Sequence, residues 1–378
     1  MIYIPITSAR SGMVLAKSIS APNGMFALLQ SGEELTDPII EKLAAHRIDG
    51  IYVEMYGSDD IDPKSIIPPE KKLKLTAEIR DIYSKYYTQP YISRSAVEST
   101  RRIAETIVDC VLDREEYLMN MMEIKGYDSY TYSHCLNVSV LSIMLASEMG
   151  INRNKLDDIA LCALMHDIGK VDIPIEIIGK NGPVTESEFA VIKTHPEKGV
   201  ERLRKCHNVS REVLYGIQSH HEKIDGSGYP YGYKGVHIPI FGRILAVADV
   251  YDALTSHRSY RKAWLPNEAI EYIVAGSDSH FDQEIVQLFM HLVCAYPEGC
   301  IVRLSEGSSA LVVKNYSENV LRPKVRLIED STLGHRGMEI DLLEDYDASN
   351  LTIKSILSGG DDSASIDSIV NQPANKHL

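Results

Sequence analysis

Among the side chains between positions 134 and 249 of the types that ligate metals or move protons, seven stand out: His134, His166, Asp167, His195, His220, His221 and Asp249. The most distinctive of them stand in His220-His221-Glu222-Lys223-Ile224-Asp225-Gly226-Ser227-Gly228-Tyr229-Pro230, where adjacent imidazoles run straight into a glycine-rich turn. Five imidazoles and two carboxylates are too many for one four-coordinate zinc. Two roughly octahedral ions use them better, with Asp167 bridging and positions left for water and substrate oxygens. Donors that are all nitrogen and oxygen favour iron or manganese over structural zinc. A pair of ions about 3.5–4 Å apart is the usual apparatus for in-line displacement at phosphorus. Phosphoester hydrolysis is therefore the chemistry these residues predict.

Helices must bring them together. Leu156, Ile159, Ala160, Ala163 and Leu164 recur at helical spacing and define one buried face, near whose middle Asp167 falls, with His166 toward its edge. His134, Val138, Leu141 and Leu145 form a second stripe; Val213, Leu214, Ile217, His220 and His221 a third; Leu245, Ala248, Asp249 and Asp252 a fourth. One inward histidine is usually a satisfied core residue, but ligand-type side chains at core positions of several helices are costly to bury without a partner. His195 stands before Pro196, which biases it to an extended backbone at a helix start.

The 378-residue chain is long enough for two or three domains and carries a formal charge of −14. That balance argues against a DNA or RNA binder, which needs clustered Lys and Arg. No apolar run is long enough to span a bilayer, and Met1-Ile2-Tyr3-Ile4-Pro5 lacks the pattern of a signal peptide, so a cytoplasmic protein is expected. The six cysteines form no CxxC pair and suit buried, reduced thiols.

In chain order, residues 1–57 read as a small α+β accessory or sensory unit. Met13-Val14-Leu15-Ala16, Phe26-Ala27-Leu28-Leu29 and Ile51-Tyr52-Val53 are its strands, and its helix is capped by Asp37 with Ile39, Ile40, Leu43 and Ala44 as the apolar stripe. Residues 58–126 are a linker and helical lead-in that can pack on the next domain or pair with a second copy as a homodimer; packing within the chain is favoured. Residues 127–297 are almost wholly helical. Residues 298–357 switch to strands at Cys300–Leu304, Ala310–Val313, Lys324–Leu327 and Glu339–Leu342, a small β-rich unit forming a sheet or barrel. Residues 358–378 read as a disordered tail.

The order His134, then His166-Asp167-Ile168-Gly169-Lys170, His195-Pro196, His220-His221, Gly228-Tyr229-Pro230 and Asp249 resembles the HD-GYP family of bacterial cyclic di-GMP phosphodiesterases, a branch of the HD metal-dependent phosphohydrolases. The resemblance covers about residues 127–297. It implies an all-α HD-type helical bundle as the catalytic domain, two divalent ions (iron or manganese), and hydrolysis of cyclic di-GMP to pGpG or on to GMP. It further implies that the seven side chains hold the metals and that Lys170, Arg258 and Arg261 lie by the substrate phosphates, where three cations would neutralise developing charge. Gly228, Tyr229 and Pro230 then wall the substrate site. Some members carry a glutamate four residues before the first histidine, where it supports a third metal; Tyr130 stands there in this chain, so two metals are expected. The family's Ser-Asp-Arg-Pro-Tyr-Arg segment is Ser256-His257-Arg258-Ser259-Tyr260-Arg261, without the proline. Two alternatives follow from the same fold: a non-catalytic cyclic di-GMP receptor or scaffold for a diguanylate cyclase, and a hydrolase of another cyclic dinucleotide.

Overall fold

A computed structural model of the chain describes residues 1–20, 27–46, 48, 50–89, 91–113, 118–120, 130–180, 182–206, 208–256 and 263–357. The expected tail at 358–378 lies outside them. Two compact units emerge: Met1–Lys64 with Val293–Leu378, and Ser65–Leu292. The first corrects the reading of separate end units. Ile2, Ile4, Leu15, Leu35, Ile51 and Val53 from the start of the chain share one hydrophobic core with Ile301, Leu311, Ile328 and Leu357 from its end.

In that unit β1 (Ile2–Pro5) pairs antiparallel with β4 (Gly50–Val53), and β2 (Ile19–Ser20) with β3 (Ala27–Leu29). Met13–Ala16 makes only the isolated bridges Val14 to Glu34 and Leu15 to Val53. Helix α1 (Asp37–Ala45) starts one residue earlier than the expected cap: Thr36 takes the cap position and Asp37 is the first helical residue, where its charge suits the helix N-terminus. Leu43 is buried in the core, Ile39 and Ile40 pack partly against it, and Ala44 is exposed. Strands β5 (Ile301–Leu304), β6 (Ser309–Lys314), β7 (Lys324–Leu327), β8 (Glu339–Asp341) and β9 (Ile353–Ile356) form an antiparallel sheet in the order β8-β7-β6-β5-β9. The last strand was not expected from sequence; its pairing with β5 defines it.

The second unit is built of helices: α2 (Pro69–Thr88), α3 (Arg94–Leu112), α4 (Tyr130–Glu148), α5 (Arg153–Met165), α6 (Ile175–Ile178), α7 (Glu186–Ile192), α8 (His195–Leu203), α9 (Arg211–Ser219), α10 (Ile240–Thr255), α11 (Pro266–Ala275) and α12 (Gln283–Leu292). Helix α4 is apolar around its whole circumference and accordingly sits at the centre, with Leu136, Val138, Val140, Leu141, Ile143 and Leu145 all buried. It packs on α5 and α10. The Asn152 side chain caps α5 by accepting from Lys155 N, and that helix buries Leu156 and every residue from Ile159 to Met165.

The lead-in helix α2 packs within the same unit. Tyr83, buried, donates to Leu164 O at 2.7 Å, and its hydroxyl lies 3.3 Å from Cys135 Sγ. Arg202 of α8 is 8% exposed; it forks onto Asp172 (2.5 and 2.6 Å) and donates to Tyr86 O and Gln89 O at the end of α2. That one guanidinium joins three segments, and bidentate charge-assisted bonds are the strong ones. Replacing Arg202 by Met is expected to destabilise the chain by about 2 kcal/mol. Urea unfolding followed by circular dichroism reads this; a loss below about 0.5 kcal/mol would show that the clamp is idle.

Candidate metal centre

Asp167 ends α5's approach and is followed by a tight 3-10 turn, Ile168–Asp172. The turn must lie flat on the start of α8: a Cβ at Gly169 would sit 1.9 Å from His195 O and 2.5 Å from Gly199 N. Only glycine permits that approach, and it brings Asp167 beside His195. His195 itself is the first residue of α8, with Pro196 in the first turn; it is helical and not extended, since the proline lacks a hydrogen-bond donor exactly where a helix needs none.

Three histidines are oriented in one way. His166 Nδ1 lies 2.7 Å from Ala163 O, His195 Nδ1 2.8 Å from Ile192 O, and His220 Nδ1 2.7 Å from Ile217 O. Each ring donates its Nδ1 proton to the carbonyl three residues back and so turns an unprotonated Nε2 inward. His134 is held by a carboxylate: its Nδ1 is 2.6 Å from Asp252 Oδ2, and Asn137 Nδ2 donates to Asp252 Oδ1 at 2.6 Å.

The inward nitrogens meet in pairs. His134 Nε2 and His166 Nε2 are 3.3 Å apart, and His195 Nε2 and His220 Nε2 are also 3.3 Å apart. Between His195 and His220, both without a proton on Nε2, two lone pairs repel at that distance. It is, however, the bite of a cation, because ligands about 2.1 Å from one ion at 90–110° lie about 3.0–3.4 Å from each other. Asp167 stands between the pairs. Its Oδ2 is 3.4 Å from His166 Nε2 and 3.8 Å from His134 Nε2, and its Oδ1 is 3.3 Å from His195 Nε2 and 4.0 Å from His220 Nε2. Oδ1 is buried and has no hydrogen-bond partner among the described residues. Asp249 closes the first pair, with Oδ1 3.2 Å from His134 Nε2, while its Oδ2 is 3.8 Å from His221 Nδ1. Two groups of ligand atoms could each hold an ion: His134, His166 and Asp167, and Asp167, His195, His220 and His221. Donor types, the orphaned carboxylate oxygen and the paired imidazoles all fit metal ions.

The electrostatics agree. Burial pushes His195 down to about 3 and His221 to about 4, and carries His220 well below the usual histidine range. These three are neutral at pH 7, the form that ligates. Burial works against ionised Asp167, yet the Lys170 ammonium holds its carboxyl well below the ordinary value; Asp249 is held down against burial by His134. Burial would lower His134, but its bonds to Asp249 and Asp252 raise it to about 9, and a metal would compete with that proton for Nε2. Lys170, one turn beyond Asp167, reaches its Oδ2 at 2.5 Å while keeping about a third of its own side chain exposed.

The turn after His221 forms a wall. Tyr229 stacks on the His221 ring, with centroids 4.8 Å apart and planes at 28°. A Cβ at Gly228 would meet Lys223 N at 2.4 Å, so the loop folds back on its own start only with glycine there. Glu222 latches it: buried, it accepts from Tyr231 N at 2.8 Å and Tyr233 N at 3.1 Å. Arg258 and Arg261 lie outside the described residues.

Sequence reasoning missed the parts played by Asn137, Glu222 and Asp252. Asp252 sits one turn after Asp249 on the same stripe. In the structure both its oxygens are engaged by His134, Asn137 and Ser256, so it orients a ligand. Asn137 follows His134 by three positions on one helix face, which was a usable signal.

Residues 111–285 match the family model described as HD domain. The chain is 36% identical over 225 residues to the cyclic di-GMP phosphodiesterase PA4108 of Pseudomonas aeruginosa, across 60% of this chain and 54% of that protein. It is 33% identical over 242 residues to a cyclic di-GMP phosphodiesterase of Thermotoga maritima, across 62% of this chain and 66% of that one. A 3'3'-cGAMP-specific phosphodiesterase 2 of Vibrio cholerae is 37% identical over 46% of this chain and 33% of its own length. The chain thus spans about half to two thirds of the first two relatives' length. Among solved structures, Bd1817, an HDG"Y"P protein from Bdellovibrio bacteriovorus, aligns with a TM-score of 0.50 at 18% identity over 76% of this chain and 97% of its own, a likeness of fold.

Two outcomes follow from the supporting bonds. Asp252→Asn sets an amide donor against His134 Nδ1 or Asn137 Nδ2 and is expected to weaken manganese binding about 10- to 100-fold. Calorimetric titration measures it, and an unchanged affinity would remove Asp252 from the centre. Glu222→Ala strands the Tyr231 and Tyr233 amides, whose hydrogen exchange should quicken about tenfold or more; exchange at the native rate would mean the latch does not hold the loop.

Proposed function

Because the chain belongs to the HD domain family, in its HD-GYP branch, we propose that it hydrolyses cyclic di-GMP, opening the ring to linear pGpG and carrying it on to GMP. The observation that supports this best is the Asp167 carboxylate set between two histidine pairs, each with the bite of a cation. His134, His166 and Asp249 would hold one divalent ion and His195, His220 and His221 the other, with Asp167 common to both; iron or manganese suits such nitrogen and oxygen donors. The bound pair would polarise the phosphodiester and activate water for in-line attack.

The chain's own residues do the rest. Asp167 fixes the spacing of the two ligand sets. The carbonyls of Ala163, Ile192 and Ile217 and the Asp252 carboxylate keep each imidazole in the ligating tautomer. Lys170, partly exposed at the edge of the cluster, is placed to meet a phosphate oxygen, and we assign Arg258 and Arg261 to the same charge. The loop through Gly228, Tyr229 and Pro230 shapes the entrance and excludes water from one side.

Among the described residues no helix is long and apolar enough to cross a membrane. The six cysteines are all buried and free, which supports a reducing, cytoplasmic setting.

Full-length chain loaded anaerobically with iron or manganese should convert cyclic di-GMP to pGpG and GMP on chromatography, stop on addition of a chelator, and resume with excess metal. Asp167→Ala should lose both bound metal and turnover. Full turnover by metal-free Asp167→Ala protein would overturn the reading. A panel including 3'3'-cGAMP and cyclic di-AMP ranks the substrates, and a higher kcat/KM for either would reassign the preferred one.

A further inference from the structure

Beside the candidate ligands lies a corner of aromatic rings that the hydrolytic chemistry leaves without a task. Tyr229 covers the His221 ring on one side, and on its outer side meets Phe189 of α7 edge-on, with centroids 6.3 Å apart and planes at 82°. Phe189 is 41% exposed, an unusual situation for a phenyl ring on the rim of so polar a centre. The ammonium of Lys193 lies 4.8 Å from the centroid of Phe189 and 5.5 Å from that of Tyr229, and it makes no ion pair among the described residues.

A local helix pair accounts for Lys193 over Phe189, four positions apart. It does not account for Tyr229, which arrives from a different segment and puts the same ammonium at the angle of two rings. An exposed aromatic face next to an uncommitted cation is what a purine recognises: the face stacks with the base, and Lys donates to acceptors on its edge. Guanine offers O6 and N7 side by side. Adenine replaces the first acceptor with an amino group, a donor that an ammonium repels.

Resting on the phosphodiesterase reading above, we propose that Phe189, Tyr229 and Lys193 form a nucleobase subsite that takes a guanine of the substrate, the ring stacked on Phe189 and its O6/N7 edge turned to Lys193. Continuity with His221 places this subsite next to the phosphate. Phe189 and Lys193 are then specificity residues that touch the base and leave the reacting phosphorus alone.

The test compares cyclic di-GMP, cyclic di-AMP and bis(p-nitrophenyl) phosphate, a diester without a purine, on manganese-loaded full chain. Phe189→Leu, which keeps apolar volume and removes the aromatic face, is expected to raise KM for cyclic di-GMP about 5- to 100-fold, and to do so by a larger factor than for the phenyl ester. Phe189→Trp should restore the low KM. Lys193→Met should cut the preference for cyclic di-GMP over cyclic di-AMP about tenfold. Thermal melting of each variant checks that it is folded. A Phe189→Leu enzyme with native KM for cyclic di-GMP, or one whose KM rises equally for the phenyl ester, overturns the subsite while leaving the phosphodiesterase reading intact. Wild-type chain that cleaves none of the three diesters overturns the parent reading and the subsite with it.

Discussion

The constraint on which the helical unit depends is a carboxylate that faces two histidine pairs from the inside of the protein. Asp167 is 5% exposed and ionised, and one of its oxygens has no hydrogen-bond partner. A buried charge so placed costs several kcal/mol unless an opposite charge answers it. Lys170 answers one oxygen. The second, between His195 and His220, is answered by nothing among the described residues, and neutral imidazoles turn their lone pairs toward the same spot. Positive charge from a metal would resolve both difficulties together, and its binding would then be linked thermodynamically to the folding of this unit.

How the imidazoles are aimed has a simple origin. The carbonyls of the last turn of a helix have no intrahelical partner. Ala163 belongs to the last turn of α5, Ile192 ends α7, and Ile217 belongs to the last turn of α9. Each such carbonyl is taken by the Nδ1 of a histidine placed just beyond. One bond thereby satisfies an orphaned acceptor, fixes a tautomer and points Nε2 at the centre. His134 lies inside the first part of α4, where carbonyls are committed to the helix, and its orientation therefore has to come from Asp252 on another helix.

Much of this was legible in the sequence because the apolar stripes of α4, α5, α9 and α10 lead to the ligand-type residues, which stand on α4 and α10 or just past the ends of α5 and α9, and a helical period is a local property. Less local features were not. The shared core of the two chain ends joins residues some 250 or more positions apart, such as Ile51 and Ile301, and no pattern within either end announces the other. The position of Asp252 on a stripe with Asp249 did not reveal its task, which is set by His134 and Asn137, more than a hundred residues earlier. Glu222 sat in the most conspicuous stretch of the chain yet its function is to bind two backbone amides, and backbone partners leave no trace in residue types.

The loop from Glu222 to Tyr233 shows why the candidate ligands His220 and His221 and the wall beside them are found in one stretch. His220 and His221 lie directly before Glu222, whose two carboxylate oxygens draw the chain back over them; Tyr229 N donates to His221 O, and the Tyr229 ring lands on the His221 ring. The wall is thus tied to the ligand by one backbone bond, one ring stack and the latch of a buried acid. Displacing the His221 ring moves the tyrosine, and displacing the loop removes the face that holds His221 in place. The position of the His221 ring and the shape of the loop are therefore one mechanical unit, so a cation that ordered His221 would also order the Tyr229 face beside it.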